Sequence, residues 1–233
     1  MASQIDCYNL TLTFLDISDT VQSLNDNSPQ ARVLNRFWDY ARIRVLEFCW
    51  WDFATKSTAL ALQLDQSTLS LQSQLVFPGW RYIYDVPADC LRPLVVTTQY
   101  GIRLNPFTRS WWYDMSQAPQ WGPYRPPWRK ANNDGSNPNL TAAPGEIILT
   151  DQDSAWLVYV QDVTNVALWS QAFFEAVAWN MAYPAAGPLS ANQNAKKLAR
   201  TESRDSMIRA MSLELNQSQP DPYPDSPAIT ARN

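Results

Sequence analysis

Few residues of this sequence could do chemistry, and histidine is absent altogether. Ser-His-Asp and Cys-His catalysis, the HExxH zinc site and imidazole proton transfer are therefore excluded. The three cysteines, Cys7, Cys49 and Cys90, lie far apart and form no CxxC pair. We interpret them as small buried residues in a reducing compartment. We expect neither a metal site nor a cofactor.

Carboxylates are the remaining candidates for acid–base chemistry. Asp85 and Asp89 flank the end of a predicted strand, while Glu146, Asp151 and Asp153 surround a predicted turn. A glycosidase needs two carboxylates across a groove, one of them with a raised pKa. Nothing in the spacing singles out such a pair, and the simpler hypothesis is that Asp151 and Asp153 cap a hairpin turn and Asp89 a loop. We therefore predict no enzymatic activity.

The segment SWWYDMSQAPQWGPYRPPW, residues 110–128, contains four tryptophans, two tyrosines and four prolines. Aromatic rings can stack on sugars, but Trp and Tyr also dominate protein–protein contacts, and prolines reduce the entropy lost on docking. Three interpretations are open: an interface with another protein, a local mini-core, or a carbohydrate platform. We favour the interface, formed by Trp111, Trp112, Tyr113, Trp121, Tyr124 and Trp128.

The bulk composition limits the partners of the chain. With 233 residues, 45% of them hydrophobic, it can form one domain with an insertion or two small domains. A net charge of −4 argues against a general attraction to nucleic acid. No run of eighteen apolar residues and no basic N-terminal region before an apolar one is present, so we expect no membrane span and no secretory signal.

Two helices are predicted at the N-terminus. Ser3 and Asp6 form a capping-box pattern, and Ser28 before Pro29 marks a second start. The second helix is expected to run from Pro29 to about Trp50. The apolar faces are predicted from residues at helical spacing: Cys7, Leu10, Phe14 and Ile17 in the first helix, and Leu34, Phe37, Ala41, Val45 and Phe48 in the second.

The middle of the chain has the pattern of β-strands. The pattern predicts five strands, with a turn at 151–154 between the last two. The strand segments are FATKSTALALQL, GWRYIYDVP, LRPLVVTTQY, GEIILTD and AWLVYVQDV. We expect one small antiparallel sheet unit, interrupted by a long insertion at about 103–145.

Helical patterns return near the C-terminus. A helix beginning at Asn165 is apolar nearly all round and is expected to break at PAAGP. The last helix is predicted from Ser190 to about Asn216, with a centre, TESRDS, that is polar on every side. It carries five cations: Lys196, Lys197, Arg200, Arg204 and Arg209. These could line a DNA channel, pair with an acidic partner or form a solvated face.

The predicted fold class is α+β. Residues 1–54 and 164–216 form a bundle of N- and C-terminal helices, and residues 55–163 form the β-rich unit with the insertion at 103–145. Residues 217–233 form an extended proline-rich tail, which consists of Gln217 followed by SQPDPYPDSPAITARN.

Three blocks of the sequence resemble the head-to-tail adaptor proteins of short-tailed bacteriophages, also called tail tubular protein A or gatekeeper proteins. The first block matches the family pattern SL-D-S--A, YD-AR--VL and W-FA. Its matching residues are Ser23, Leu24, Asp26, Ser28, Ala31, Tyr40, Ala41, Arg42, Val45, Leu46, Trp51, Phe53 and Ala54. The second block, YDVPADCLR, matches at Tyr84, Pro87, Asp89, Cys90, Leu91 and Arg92. The third matches at Ala167, Leu168, Phe174, Glu175, Ala176, Ala178, Ala182 and Ala186 to Leu189.

This resemblance implies a structural protein of the virion, located at the head–tail junction after assembly in the host cytoplasm. It implies a dodecameric ring between the portal protein and the tail nozzle protein, through which double-stranded DNA passes without sequence-specific binding. The tail fibre is a further candidate partner, and no membrane contact is implied. The C-terminal region would face the portal, with Lys196, Lys197, Arg200, Arg204, Arg209 and Tyr223 as contact residues. The alternative hypothesis is a carbohydrate-binding or cell-wall-degrading virion protein that uses the Trp-rich segment.

Overall fold

The computed structural model describes residues 3–69, 76–97, 102–104, 111–113, 128–136, 139–140, 144–190 and 192–217, with side chains for all except 102–104, 111–113 and 215–217. These ranges contain four α-helices and antiparallel β-sheets, which confirms the predicted α+β class. Much of the predicted insertion, and the predicted tail from residue 218 onward, lie outside the described residues.

The first two helices begin where their capping residues predict. Helix α1 (Gln4–Phe14) follows Ser3, whose hydroxyl accepts the Asp6 N–H while the Asp6 carboxylate accepts the Ser3 N–H. Helix α2 (Pro29–Phe48) follows Ser28, whose hydroxyl accepts a backbone N–H of the first turn. Both starts are set by local hydrogen bonds.

The apolar faces of these helices differ in part from the predicted ones. In α1 the buried side chains are Cys7, Tyr8, Thr11 and Leu12. In α2, Ala41 and Val45 are buried as predicted, but Phe48 is 39% exposed. The helix ends at Phe48 because Cys49 takes an extended conformation, so the predicted end at Trp50 is wrong.

Helix α3 (Gln171–Leu189) is the centre of the helical part, and α1, α2 and α4 all pack on it. Its side chains are buried nearly all round, as predicted. The predicted start at Asn165 is wrong, since that residue caps a short 3-10 helix and Ser170 caps α3. The predicted break at PAAGP is also wrong. The helix continues through Pro184 because the turn beyond it buries Ala185 and Ala186, which offsets the hydrogen bond that proline cannot donate.

Helix α4 (Gln193–Gln217) packs closely against α3. It starts after Asn192, whose side chain accepts N–H groups of the first turn, and not at Ser190 as predicted. Its centre, TESRDS, consists of polar residues as predicted but is not exposed on every side, because Ser203 and Ser206 are buried. This allows the Asn180 side chain of α3 to donate to the Ser203 carbonyl at 2.8 Å.

The strands form two main antiparallel sheets and a short strand pair. The first sheet has the order β1 (Thr55–Ala59), β9 (Trp156–Gln161), β4 (Cys90–Thr97). The second has the order β2 (Leu62–Asp65), β3 (Tyr82–Asp85), β8 (Gly145–Thr150), β7 (Trp128–Asn133). The short pair joins β5 (Ile102–Leu104) to β6 (Trp111–Tyr113).

The predicted antiparallel β-rich unit is confirmed, and the structure shows that it is divided into two main sheets. FATKSTALALQL splits into β1 and β2, which belong to different sheets. The turn at 151–154 does not close a hairpin, since β8 and β9 also lie in different sheets. Strand β7, within the predicted insertion, completes the second sheet by pairing with β8 over its whole length.

Buried clusters join these parts. One contains Trp51, Phe173 of α3 and Val160 of β9, so the helices and the first sheet share a core. Another contains Tyr84 of β3 and Tyr159 of β9 and joins the two sheets. Strand β9 therefore connects the helical core to the sheet core.

Two buried charged side chains lie where helices meet the rest of the chain. Arg42 of α2 is 3% exposed, and its guanidinium donates to the Asp162 carboxylate just beyond β9. Near the end of α4, Glu214 accepts the Asp52 N–H at 2.9 Å, at the start of a short 3-10 helix before β1. Both contacts tie a helix to a strand boundary.

Glu214→Gln is expected to make stability less dependent on pH. Burial raises the pKa of Glu214 above its ordinary 4.5, so ionisation is less favourable in the folded chain than in the unfolded one. As pH rises from 4.5 through the folded-state pKa, the wild type should lose stability relative to the variant. Urea unfolding below pH 4.5 and at neutral pH measures this difference, with the exposed Glu47→Gln as control. A difference that stays constant with pH would contradict it.

Candidate functional site

A row of positive side chains runs along the outer side of α4. It consists of Lys196, Lys197, Arg200 and Arg204, whose spacing of three and four residues keeps them on one side of the helix. Lys196 is half-buried and the other three are exposed. Among the residues that the structure describes, none of the four forms an ion pair. We call these four residues the basic row.

Arg209, the fifth predicted cation of this helix, has a different role. Its guanidinium donates to Glu202 at 2.7 Å and lies 3.9 Å from Glu175 of α3. These partly exposed ion pairs contribute little stability each, but they direct Arg209 toward α3. The structure therefore separates Arg209 from the basic row.

The position of the basic row is unfavourable for the helix that carries it. Lys196 and Lys197 lie near the N-terminal end of α4, and no acidic residue occupies the first turn. That end of a helix carries a partial positive charge, which repels cations. Side chains that destabilise the helix carrying them are expected mainly at sites where they contact a functional partner. The row is thus the best candidate for a binding surface.

Lys197→Gln is expected to raise the free energy of unfolding by about 0.2–0.5 kcal/mol, because it removes a cation just beyond the first turn of α4 that is also repelled by its neighbour Arg200. Urea unfolding near neutral pH measures the change. Arg209→Gln is the control and should have the opposite sign, since it removes the ion pairs with Glu202 and Glu175. A loss of stability in the Lys197 variant would show that the row stabilises the fold.

Three apolar side chains of α4 are exposed, and one of them lies on the same side of the helix as the basic row. Leu198, Ile208 and Leu213 are 50%, 39% and 52% exposed. Single exposed apolar residues are common on protein surfaces. Ile208, however, lies four residues beyond Arg204 and so continues the same side of the helix. The outer side of α4 offers both charge and apolar area to a partner.

Asp89 lies in a polar cluster between the strands of the first sheet. Its carboxylate accepts from Lys56 Nζ and from the Tyr159 hydroxyl, each at 2.8 Å. Burial by itself would raise the pKa of Asp89, but these two hydrogen bonds outweigh it and hold the pKa below its ordinary value. Burial and the Asp89 contact raise the pKa of Tyr159 to about 12. Asp89 is therefore suited to hold two strands together and unsuited to act as a general acid.

The other carboxylates considered for catalysis also have local partners. Asp85 accepts from Gln63, Glu146 pairs with Lys130, Asp151 accepts the Arg81 N–H, and Asp153 accepts from Gln152. The prediction that Asp151 and Asp153 cap a hairpin turn is wrong, because β8 and β9 belong to different sheets. Asp151 instead orders the chain entering β3.

Cys7 and Cys49 are buried and Cys90 is half-buried, and no disulfide joins any two of the three. Burial raises the pKa of Cys90 to about 11 and also raises the pKa of Cys7, which disfavours the reactive thiolate. In the described part of the chain, no group of three or more His, Cys, Asp or Glu residues could hold a metal ion. Nor does any helix there combine the length and hydropathy needed to cross a bilayer.

The predicted aromatic surface is described only in part. Trp111, Trp112 and Tyr113 form strand β6 and pair with β5. Trp128 begins β7, is half-buried and packs against the cluster between the two sheets. Trp121 and Tyr124, like Tyr223 of the predicted portal surface, lie outside the described residues. Trp128 therefore contributes to a core, and the contact of this segment with another protein stays a prediction.

The chain was compared with known protein families and curated proteins. No family model and no curated protein matches it. The resemblance to phage adaptors therefore rests on the motif residues, whose positions in the fold indicate what they do.

Several motif residues hold the helices to the sheets. Ser28 caps α2, and Arg42 pairs with Asp162. The fully buried Trp51 donates from its indole to a backbone carbonyl of α2 at 2.9 Å, and Arg92 of β4 donates to the last turn of the same helix. These four residues stabilise the framework, whereas other motif residues, among them Tyr40 and Leu168, are exposed.

Sequence reasoning did not identify the buried contacts of Arg42 and Glu214. Arg42 could have been noticed, because it follows Trp38 by four residues and precedes Val45 by three, on the buried side of α2. Its partner lies 120 residues away, and the contact of Glu214 spans 162 residues. No local pattern indicates either pairing.

Proposed function

We propose that this protein is a structural head-to-tail adaptor subunit of a short-tailed bacteriophage. In this proposal it forms a ring, dodecameric by resemblance to the family, between the portal protein and the tail nozzle protein. The observation that carries the proposal is the basic row of α4: four cations without ion pairs among the described residues, on a protein of net charge −4. Such a row suits docking on an acidic protein surface of the particle.

The end of α4 leads directly into the segment that would reach the portal. Helix α4 ends at Gln217, and residues 218–233, with Tyr223, follow it. The aromatic segment at 111–128 would contact a neighbouring subunit or the nozzle. At physiological salt and low concentration the subunit stays monomeric until the portal presents equivalent sites, and lateral contacts then close the ring.

The proposed ring lets DNA pass without binding it. The overall acidic charge disfavours tight contact with phosphates, whose binding needs many cations. The function involves no covalent chemistry. The carboxylates that a carbohydrate-active protein would use have structural partners in the described residues, so no observation favours that alternative.

Deletion of residues 218–233 tests the proposal. The truncated protein is expected to lose its attachment to purified portal rings in a co-sedimentation experiment. Its urea-unfolding profile should remain that of the full chain. A carbohydrate-binding protein would keep its glycan binding after this deletion and would lose it when Trp111, Trp112 and Trp121 are replaced by alanine, a set that leaves the core contact of Trp128 intact. Undiminished portal attachment of the deleted protein would contradict the proposed role of the tail.

A further inference from the structure

The N-terminal part of the chain has a charge opposite to that of the basic row. Residues 1–31 contain four aspartates and neither lysine nor arginine. Two of these, Asp16 and Asp19, are exposed and follow the C-terminal end of α1. A helix carries a partial negative charge at that end, so the carboxylate of Asp16, directly after the C-cap residue Leu15, is repelled by its own helix, as Lys196 is in the first turn of α4. We call Asp16 and Asp19 the acidic end.

The acidic end also has a shape that can receive a side chain. Asp16 and Asp19 line a surface hollow of about 360 Å³, together with residues that include the exposed Thr13 and Thr20. Carboxylate and hydroxyl oxygens are hydrogen-bond acceptors for an ammonium or guanidinium group. The hollow is therefore complementary to a lysine or arginine in charge and in hydrogen bonding.

The two charged surfaces belong to the same packed unit without meeting each other. Helices α1 and α4 both pack against α3. Within the described residues, no ion pair joins the basic row to the acidic end. A two-fold contact that placed row against row would be repulsive, whereas a head-to-tail contact would neutralise both surfaces. Repeated head-to-tail contacts generate rings when their rotation closes.

We propose that the basic row of one copy binds the acidic end of a second copy, and that this is the lateral contact of the ring. The proposal rests on the proposed function and names the partner of the basic row as the next subunit. Portal attachment is then the task of the tail after α4. Lys197, Arg200 and Arg204 provide the exposed cations, and one of them enters the hollow beside Asp16 and Asp19.

A charge-swap experiment tests this contact. One variant carries Lys197→Glu, Arg200→Glu and Arg204→Glu; the other carries Thr13→Lys, Asp16→Asn and Asp19→Lys. Asparagine is chosen at Asp16 because the backbone φ there is 60°, which asparagine tolerates. Each variant alone should fail to self-associate at low ionic strength, where screening is weak. An equimolar mixture should restore association at least about tenfold above either variant, since each supplies the charge that the other needs.

Sedimentation velocity measures the association, and circular dichroism and urea unfolding verify that both variants are folded. In a second measurement, unlabelled and isotope-labelled wild-type copies are mixed and treated with a carbodiimide, which joins an amine directly to a carboxylate. The isotope label distinguishes links between two copies from links within one copy. Inter-chain links from Lys196 or Lys197 to Asp16 or Asp19 are expected. Failure of the mixture to associate, or links only to Asp221 or Asp225 of the same chain's tail, would overturn the proposal.

Portal binding of the wild type separates this inference from the proposed function. If the wild type loads onto portal rings but the charge-swap mixture does not associate, the lateral contact is wrong and the adaptor function stands. If the mixture associates but no form of the protein binds the portal, the adaptor function is wrong and the contact between copies stands.

Discussion

Reversing the charge of Lys197, Arg200 and Arg204 to glutamate is expected to weaken assembly on the portal by about 100-fold. Exposed charge pairs contribute up to about 1 kcal/mol each, and the two pairs that Asp16 and Asp19 can form correspond to more than one order of magnitude in affinity. New repulsion between like charges adds to this loss. All three residues are exposed and have no ion pair among the described residues, so the fold should be retained. Sedimentation with portal rings measures the effect.

A matched variant controls for the change in net charge. Arg32→Glu, Arg36→Glu and Arg129→Glu alter the charge by the same amount at exposed positions of α2 and β7. This control should assemble like the wild type at moderate ionic strength. If both variants lose assembly equally, the overall charge and not the basic row governs the interaction.

Replacing Asp162 by alanine is expected to lower the free energy of unfolding by about 3 kcal/mol. The variant leaves the Arg42 guanidinium, which is 3% exposed, without the carboxylate that accepts two of its hydrogen bonds. Asp39 remains in contact with the guanidinium but is 73% exposed, so the buried charge loses its closer and less exposed carboxylate, which is among the more destabilising single defects. Urea unfolding at neutral pH measures the loss.

Asp39→Ala provides the comparison, because Asp39 contacts the same guanidinium at 3.2 Å but its own side chain is 73% exposed. Its loss should cost less than about 1 kcal/mol, as for other exposed ion pairs. Equal effects of the two substitutions would show that burial of the Asp162 contact does not determine its strength.

Sequence reasoning succeeded for features that neighbouring residues determine. The starts of α1 and α2 were predicted because Ser3 with Asp6, and Ser28 with Pro29, form their capping interactions within one turn. The all-round burial of α3 was predicted because apolar side chains surround that helix. The α+β class followed from the change between helical and alternating hydrophobic patterns along the chain.

Features that depend on distant residues were not predicted. The passage of α3 through Pro184 depends on the burial of the turn that follows. The separation of β8 and β9 depends on β3 and β4, their partners from another part of the chain. An alternating pattern predicts a strand but does not indicate which strand lies beside it.

The candidate site was also predicted only in part. The cations of α4 are visible in the sequence, but Arg209 could be separated from the basic row only after Glu175 was placed beside it by the packing of α3. The complementary role of Asp16 and Asp19 became apparent from their exposure and from the hollow that they line. Exposure and surface shape are properties of the folded chain and have no local sequence pattern.

The most direct test of the adaptor function is the mass of the purified protein, alone and after mixing with portal rings from the same phage. At low protein concentration and physiological salt, the protein alone should be a monomer. After mixing, each portal ring should gain a fixed number of copies, forming a closed ring on one face. A portal ring whose mass does not change would contradict the adaptor function.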